Sequence, residues 1–333
     1  VTIDPALIAA QREPDAMSIG LLERNRLLLG RAARVMRAAA ALDWICAAED
    51  PQRLRERLDA QARMIACEGD DAEELLSKFP DARLAAWSHE PHRLLALAAR
   101  DDRMVSLLGW PAHQSMPRSW ELALATRTIL WAGPEATTVR DILAGAPVTA
   151  DFYPQTPSDR DATISQIAML AERAGATERI SARIGEVAHE LVVNASYDAP
   201  IDASGEPRYA HDRRAPIVLD PPEIPHVQVA TDGLLVLVRV ADRFGRLTRE
   251  HVLASVQRGV AASRAAADDV VDATNGGAGL GLWRVYSAAA VTIVDVLPGH
   301  SSTVTAVFDI DLGARDARTL PPSLHLFDRG RLG

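Results

Sequence analysis

From Met17 to Trp131 short apolar runs alternate with stretches whose apolar residues recur at helical spacing. Ser18 to Leu22 predicts a strand, Arg24 to Ala40 an amphipathic Arg-rich helix, and Leu42 to Ala47 a second strand. A helix over Arg53 to Gln61 follows, then strands at Arg63 to Cys67, Arg83 to Trp87 and Val105 to Leu108, and a last helix from Arg118 to Leu130. Strand-helix alternation at this pitch predicts a parallel sheet with helices on both faces.

The pattern changes after Gly133-Pro134. Residues 133–159 carry Pro147, Pro154 and Pro157 and read as a connector. Helical spacing resumes over Ala162 to Arg173 and Thr177 to Ser196, and a polar, Pro-bearing excursion runs from Asp198 to Pro225. Strands are expected at His226 to Ala230 and Gly233 to Ala241, joined through Asp232-Gly233, a turn dipeptide suited to a hairpin. A helix over Thr248 to Arg264, a glycine-rich loop, a helix over Leu282 to Ala289, and strands at Val291 to Val296 and Thr303 to Ile310 complete an α+β sandwich. The expected division is an extension over 1–16, an α/β unit over 17–132, the connector over 133–159, an α+β unit over 160–312, and a tail over 313–333.

Composition narrows the classes. The 333 residues are 48% hydrophobic and 24% charged, as in ordinary globular proteins, and exceed what one core usually organises. A net charge of -9 argues against nonspecific nucleic-acid binding, which depends on neutralising phosphates. Cys46 and Cys67 sit in apolar runs and read as buried thiols rather than a disulfide framework or zinc site. No apolar run approaches the roughly 20 residues of a membrane span, and the first residues lack a signal-peptide layout. A cytoplasmic protein is the expectation.

Three motifs carry candidate chemistry. Glu190 and Asn194 lie four apart on one helix face, where a carboxylate and an amide oxygen could serve Mg²⁺; an exposed Glu beside a capping Asn is the competing reading. Asp242 and Gly245 follow a strand. The acid could accept a hydrogen bond from an exocyclic amine while the glycine lets backbone approach a ring, or the two form an ordinary Asx-capped turn. Gly277, Gly279 and Gly281 alternate at the opening of a helix, with Leu280 and Leu282 between and beyond them, offering backbone N–H groups and a positive helix end to phosphate. A dinucleotide loop would follow directly on a buried strand, whereas here a helix and a polar stretch come first; no GxxxxGK[ST] occurs.

In order and spacing these motifs resemble the GHKL superfamily of ATPases, above all its anti-sigma-factor serine kinases and histidine-kinase catalytic domains. HELVVNASYDAP (189–200) is similar to the N box, VADRFGRL (240–247) to the first glycine box, GGAGLGLWRV (276–285) to the second, and GHSSTV (299–304) to the last. The resemblance implies a Bergerat α/β sandwich binding ATP with Mg²⁺. It implies Asn194 as metal ligand, Glu190 as the carboxylate that orients or activates a nucleophile, Asp242 as the adenine-reading acid, Gly277, Gly279 and Gly281 as a mobile lid, and Thr303 near the adenine end. The activity implied is phosphoryl transfer to a Ser or Thr of a partner protein, in a branch that commonly forms homodimers; a non-catalytic ATP-dependent switch is the alternative. Departures stand beside it: Asp242-Arg243-Phe244-Gly245-Arg246 displaces the usual glycines, and Ser301 replaces another. His189 reads as a packed or surface residue rather than a phospho-acceptor.

The N-terminal unit has the strand-helix order of a flavodoxin-like response-regulator receiver, without its chemistry. Where a receiver has acids, an acceptor Asp, a hydroxyl and a Lys, the chain offers Glu23, Glu68 (or Cys67, with Asp70 nearby), Ser88 and Gly109-Trp110-Pro111. A degenerate receiver used for protein contact is the expectation, with Glu68 as a permanent negative charge.

Overall fold

A computed structural model describes residues 17–41, 43–110, 118–131, 133–213, 215–268, 279–311 and 320–332. The N-terminal half forms β1 (Ile19–Leu22), α1 (Arg26–Ala39), β2 (Cys46–Ala48), α2 (Pro51–Arg57), β3 (Met64–Glu68), α3 (Ala72–Lys78), β4 (Arg83–Ser88), α4 (Pro91–Arg100), β5 (Met104–Gly109) and α5 (Ser119–Trp131). The rest forms α6 (Val139–Ile142), β6 (Val148–Phe152), α7 (Pro157–Arg173), α8 (Glu178–Val193), β7 (His226–Thr231), β8 (Leu235–Asp242), α9 (Arg249–Asp268), α10 (Gly281–Ala288), β9 (Val291–Leu297), β10 (Ser301–Asp309), β11 (Ser323–Asp328) and α11 (Arg329–Leu332).

Local chemistry accounts for the helix starts. Asn25 accepts from Leu27 and Leu28 N–H at the head of α1, Asp50 caps α2 ahead of Pro51, and Thr156 and Asp159 form a reciprocal capping box on α7. The predicted hairpin turn is present: Gly233 adopts φ +88°, and Asp232 accepts from the N–H groups of Leu234 and Leu235.

All eleven strands join one sheet, in the order β2-β1-β3-β4-β5-β11-β9-β10-β8-β7-β6. The first five run parallel, while β9, β10, β8, β7 and β6 are antiparallel each to the next. Helices α2 to α4 and α7 to α10 share a core on one face; α1 and α5 cover the N-terminal strands on the other, and α5 with α6 continues over β8 to β10.

Two expectations are corrected. The segment read as a tail over 313–333 supplies β11, which fills the gap between the halves, antiparallel to β5 and parallel to β9. Pairing satisfies backbone groups that two open sheet edges would otherwise leave bare. The connector over 133–159 supplies α6, the edge strand β6 and the start of α7. The fold is a mixed α/β structure with one sheet rather than two.

Side chains lock the seam. On β11, His325 contacts Ser106 Oγ through Nδ1 at 2.9 Å and Glu121 Oε1 through Nε2 at 3.1 Å, and Arg118 pairs with Glu121 at 3.1 Å. Ser323 accepts the Gly109 N–H at 2.8 Å. Just beyond β11, Arg329 pairs with buried Asp295 of β9, which also accepts from the Thr137 N–H at 3.1 Å. Burial opposes the ionised form of Glu121, but His325 and Arg118 outweigh it and hold the carboxyl below its ordinary value of 4.5. A depressed folded-state pKa gives stability that is present above pH 4.5 and is lost as pH falls through the folded value. We expect His325→Leu, which removes one partner of a buried pair, to lower unfolding free energy by about 3 kcal/mol in urea titration at pH 7. The deficit should shrink on acidification below the glutamate range.

Candidate functional site

A cavity of about 350 Å³ opens between α8, β8, β10, α9 and the head of α10. Its lining includes Asn194, Asp242, Gly279, Gly281 and Leu282, so residues from all three motifs share one space. That volume is in the range of small-molecule sites. A wider basin of about 830 Å³ adjoins it through Asp198, Arg213, Gly279 and Gly281, and is lined further by Glu190, Leu280, Arg160 and Arg284.

The helix pair and the glycine segment meet directly. A Cβ on Gly281 would lie 2.7 Å from Glu190 Oε2 and 3.5 to 3.6 Å from the Asn194 amide atoms. A larger residue there would displace the Glu190 carboxylate, because α10 starts against the face of α8 that carries both side chains. Gly279 is held from α9: its carbonyl accepts from Ser255 Oγ at 2.6 Å and from Arg258 at 3.0 Å. Gly277 lies outside the described residues.

Asp242 ends β8 inside the cavity. Its Oδ1 accepts from Phe244 N–H at 2.8 Å and Gly245 N–H at 3.3 Å, so the Asx turn is real. The carboxylate nevertheless borders the cavity, and burial, only partly offset by those N–H groups and by Ser302, pushes its pKa above the ordinary 3.8. Such a shift at a cavity wall marks a candidate recognition group.

Gly245 and Thr303 are placed elsewhere. Gly245 adopts φ +61°, and a Cβ there would strike the backbone of Leu297, Gly299 and His300 at 2.3 to 2.7 Å. It lets the 243–247 segment pack on the β9–β10 turn, and it lines a separate cavity of about 330 Å³ between the two halves. Thr303 is buried on β10, paired with Ala241 and Asp295, on the sheet face away from the cavity. Side chains alternate along a strand, so its neighbours Ser302 and Val304 are the ones that reach the site.

Several site residues escaped the sequence reading. Arg284 pairs with Glu190 at 2.6 Å, three residues past Gly281. Arg213, from the Pro-bearing excursion, pairs with Asp198 and lines both spaces. Burial drives the pKa of Asp198 up despite Arg213. Ser255, Arg258 and His251 come from α9. Spacing along α9 could have flagged the last three; nothing local marks Arg213.

Two other clusters resemble chemistry. Ser106, His325 and Glu121 form a chain with triad-like contacts, but each is 0% exposed, so no substrate reaches the hydroxyl. At the carboxyl ends of the parallel strands, Arg24 grips Asp71 with two hydrogen bonds of 2.6 and 2.7 Å and reaches Glu68 at 3.3 Å. Glu68 carries its charge beside this pair, with Arg24 as its ion-pair partner. Glu23 is buried beside it, and burial together with the Glu68 charge raises its pKa despite the Asn25 N–H. Cys46 and Cys67 are buried, and burial pushes the Cys67 thiol up.

No family model and no curated protein sequence matches the chain. Among solved structures, a chain of the SiaB–SiaC complex from Pseudomonas aeruginosa matches at 14% identity and a TM-score of 0.32, covering 48% of this chain and 89% of that one. A superposition that loose carries no functional argument. Among the described residues no helix is long and apolar enough to cross a membrane, and no group of three or more His, Cys, Asp or Glu is placed to hold a metal.

Asp242 separates cap from ligand. A raised folded-state pKa means the ionised acid costs stability, and this cost sets in as pH rises through the folded value. Asn keeps the Oδ1 cap without the charge. Asp242→Asn should therefore melt higher than wild type at pH 7, with the difference vanishing below pH 3.8. A lower melting temperature at pH 7 would show that the carboxylate is a structural necessity.

Proposed function

We propose that the α+β half, residues 160–312, binds ATP with Mg²⁺ in the cavity between α8 and α10, and that the chain is a signalling regulator transferring phosphate to a Ser or Thr of a partner protein. The observation that carries this reading is the contact of Gly281 with Glu190 and Asn194 beside a cavity whose opposite wall holds Asp242. The GHKL resemblance of these motifs adds to it. Helices α7 to α10 packed on one face of the antiparallel strands, and the 2-1-3-4-5 order of the parallel half, are what a Bergerat sandwich and a flavodoxin-like pseudo-receiver would need, although α5 and α6 also cover the other face.

The residues suit the ligands. Asp242 offers a desolvated acceptor to an exocyclic amine, and in a dry site that hydrogen bond discriminates bases. Arg213, Arg258 and Arg284 line the spaces where a charged tail would run. The Asn194 amide oxygen, on the cavity wall, would supply an oxygen donor of the kind Mg²⁺ prefers, with phosphate oxygens and water completing its shell. Bound there, the cation would neutralise charge developing on the phosphoryl group. Glu190 would orient the attacking hydroxyl and accept its proton. Gly279 and Gly281 would bring backbone close to phosphate, and the outer basin beside Glu190 leaves room for the partner's hydroxyl.

A second reading rests on Arg284. Its guanidinium occupies Glu190 Oε1, and a carboxylate held by a cation is a poorer proton acceptor. On that reading the chain is a non-catalytic switch whose partner surface answers to nucleotide. Incubation with γ-labelled ATP and Mg²⁺ discriminates. The kinase reading expects turnover that Glu190→Ala reduces by about 100-fold or more, the scale of a lost general base. Saturable binding with no turnover in either protein supports the switch.

A further inference from the structure

Helix α9 separates the candidate nucleotide cavity from the N-terminal half, and it carries a different set of contacts on each side. Arg249, Leu253 and Gln257 recur every four residues on one stripe. His251, Ser255 and Arg258 form another, roughly 160° around the helix at 100° per residue. The second stripe lines the cavity, and Ser255 and Arg258 hold the Gly279 carbonyl at 2.6 and 3.0 Å. Ser255 Oγ also accepts the Trp283 N–H at 3.3 Å, tying α9 to α10 at a second point.

The first stripe grips α4. Arg249, the opening residue of α9, donates to Ala98 O at 2.9 Å, Asp101 O at 3.3 Å and Met104 O at 2.6 Å. These carbonyls belong to the last turn of α4, its C-cap and the start of β5. A guanidinium there satisfies carbonyls that a helix end leaves unpaired and meets the negative end of its dipole. Two turns along, Gln257 donates to Leu95 O at 3.4 Å, with Leu253 packed into the shared core between them.

This joint sets a polar grip beside an apolar centre, where Leu94, Leu95 and Ala98 of α4 and Val252, Leu253 and Val256 of α9 share one buried cluster. Arg249 makes its hydrogen bonds to backbone oxygens of the other half. The seam is bordered by the cavity of about 330 Å³ on one side and by a crevice of about 500 Å³ on the other. Voids flank the polar grip, while the packed apolar centre would make α9 follow the end of α4 rather than move independently of it.

We propose that α9 couples the N-terminal half to the nucleotide site: the grip of Arg249 and Gln257 on the end of α4 sets where Ser255 and Arg258 hold the Gly279 loop, and hence the affinity for nucleotide. The inference rests on the ATP reading above. Arg249 is a positioning residue in this scheme, acting through α9 and touching no ligand. Coupling of this kind is reciprocal, so nucleotide must also alter the α4 end.

Calorimetric titration with a nonhydrolysable ATP analogue and Mg²⁺, paired with hydrogen exchange, tests both directions in the full chain. Arg249→Ala should weaken binding by at least about fivefold. Arg249→Lys should recover only part of this, because an ammonium cannot span three carbonyls as a planar guanidinium does. Gln257→Ala serves where Arg249→Ala proves unstable. In wild type, saturating analogue should slow amide exchange over residues 98–104. Wild-type affinity in Arg249→Ala and Gln257→Ala, or exchange at 98–104 that analogue leaves unchanged, would overturn the coupling while sparing the nucleotide site. Absence of any wild-type binding isotherm would remove the nucleotide reading and the coupling with it.

Discussion

Two sheets with open edges cannot abut unless something pairs with both, and in this chain that element is β11. Its antiparallel pairing to β5 and parallel pairing to β9 turn two arrays into one sheet. The cost is a buried ionisable cluster, since His325, Glu121 and Ser106 are all fully enclosed at the seam. Buried pairs of this type add little net stability, yet losing one member is expensive. The seam therefore favours one register: a slip by a single residue would turn His325 away from its partners and onto the opposite face.

That seam fixes where the halves meet, and a second contact between them lies above the sheet, between α4 and α9. Around the cavity beneath α8 the chain buries Asp242 and brings α10 against α8 at a glycine. Both features cost stability or restrict sequence, and such concessions concentrate where a ligand repays them. Elsewhere the charged groups meet partners within the fold. Arg24 pairs with Asp71 and also reaches Glu68, and Arg329 pairs with Asp295, whose pKa burial still drives upward.

Most elements were legible because their signals are local. Runs such as Met64–Glu68 are buried almost throughout and read as apolar strands, and α8 shows its buried face at helical spacing. β11 was missed because its signal is divided. Ser323–Asp328 alternates side chains correctly, but it has a histidine in the middle and follows Pro321-Pro322, so it reads as polar tail until Glu121 and Ser106 are known to surround it. β6 was missed for the opposite reason: as an edge strand it is mostly exposed, and Thr149 and Asp151 weaken its pattern. In the site, the motif spacing placed Glu190, Asn194, Asp242, Gly279, Gly281 and Leu282 together. It assigned Thr303 where Ser302 belongs, because a motif does not specify which face of a strand each residue occupies. Arg213 is brought in by tertiary folding alone.

The central claim is that one adenine nucleotide bridges Asp242, the α8 pair and the glycine segment. Competition calorimetry with nonhydrolysable ATP and GTP analogues in Mg²⁺ tests it most directly, because on this reading the acid at the end of β8 accepts from the adenine amine, which guanine lacks at that position. The account predicts a single saturable site per chain for the ATP analogue that excess GTP analogue fails to displace. Equal affinity for both, or no heat with either, would contradict it.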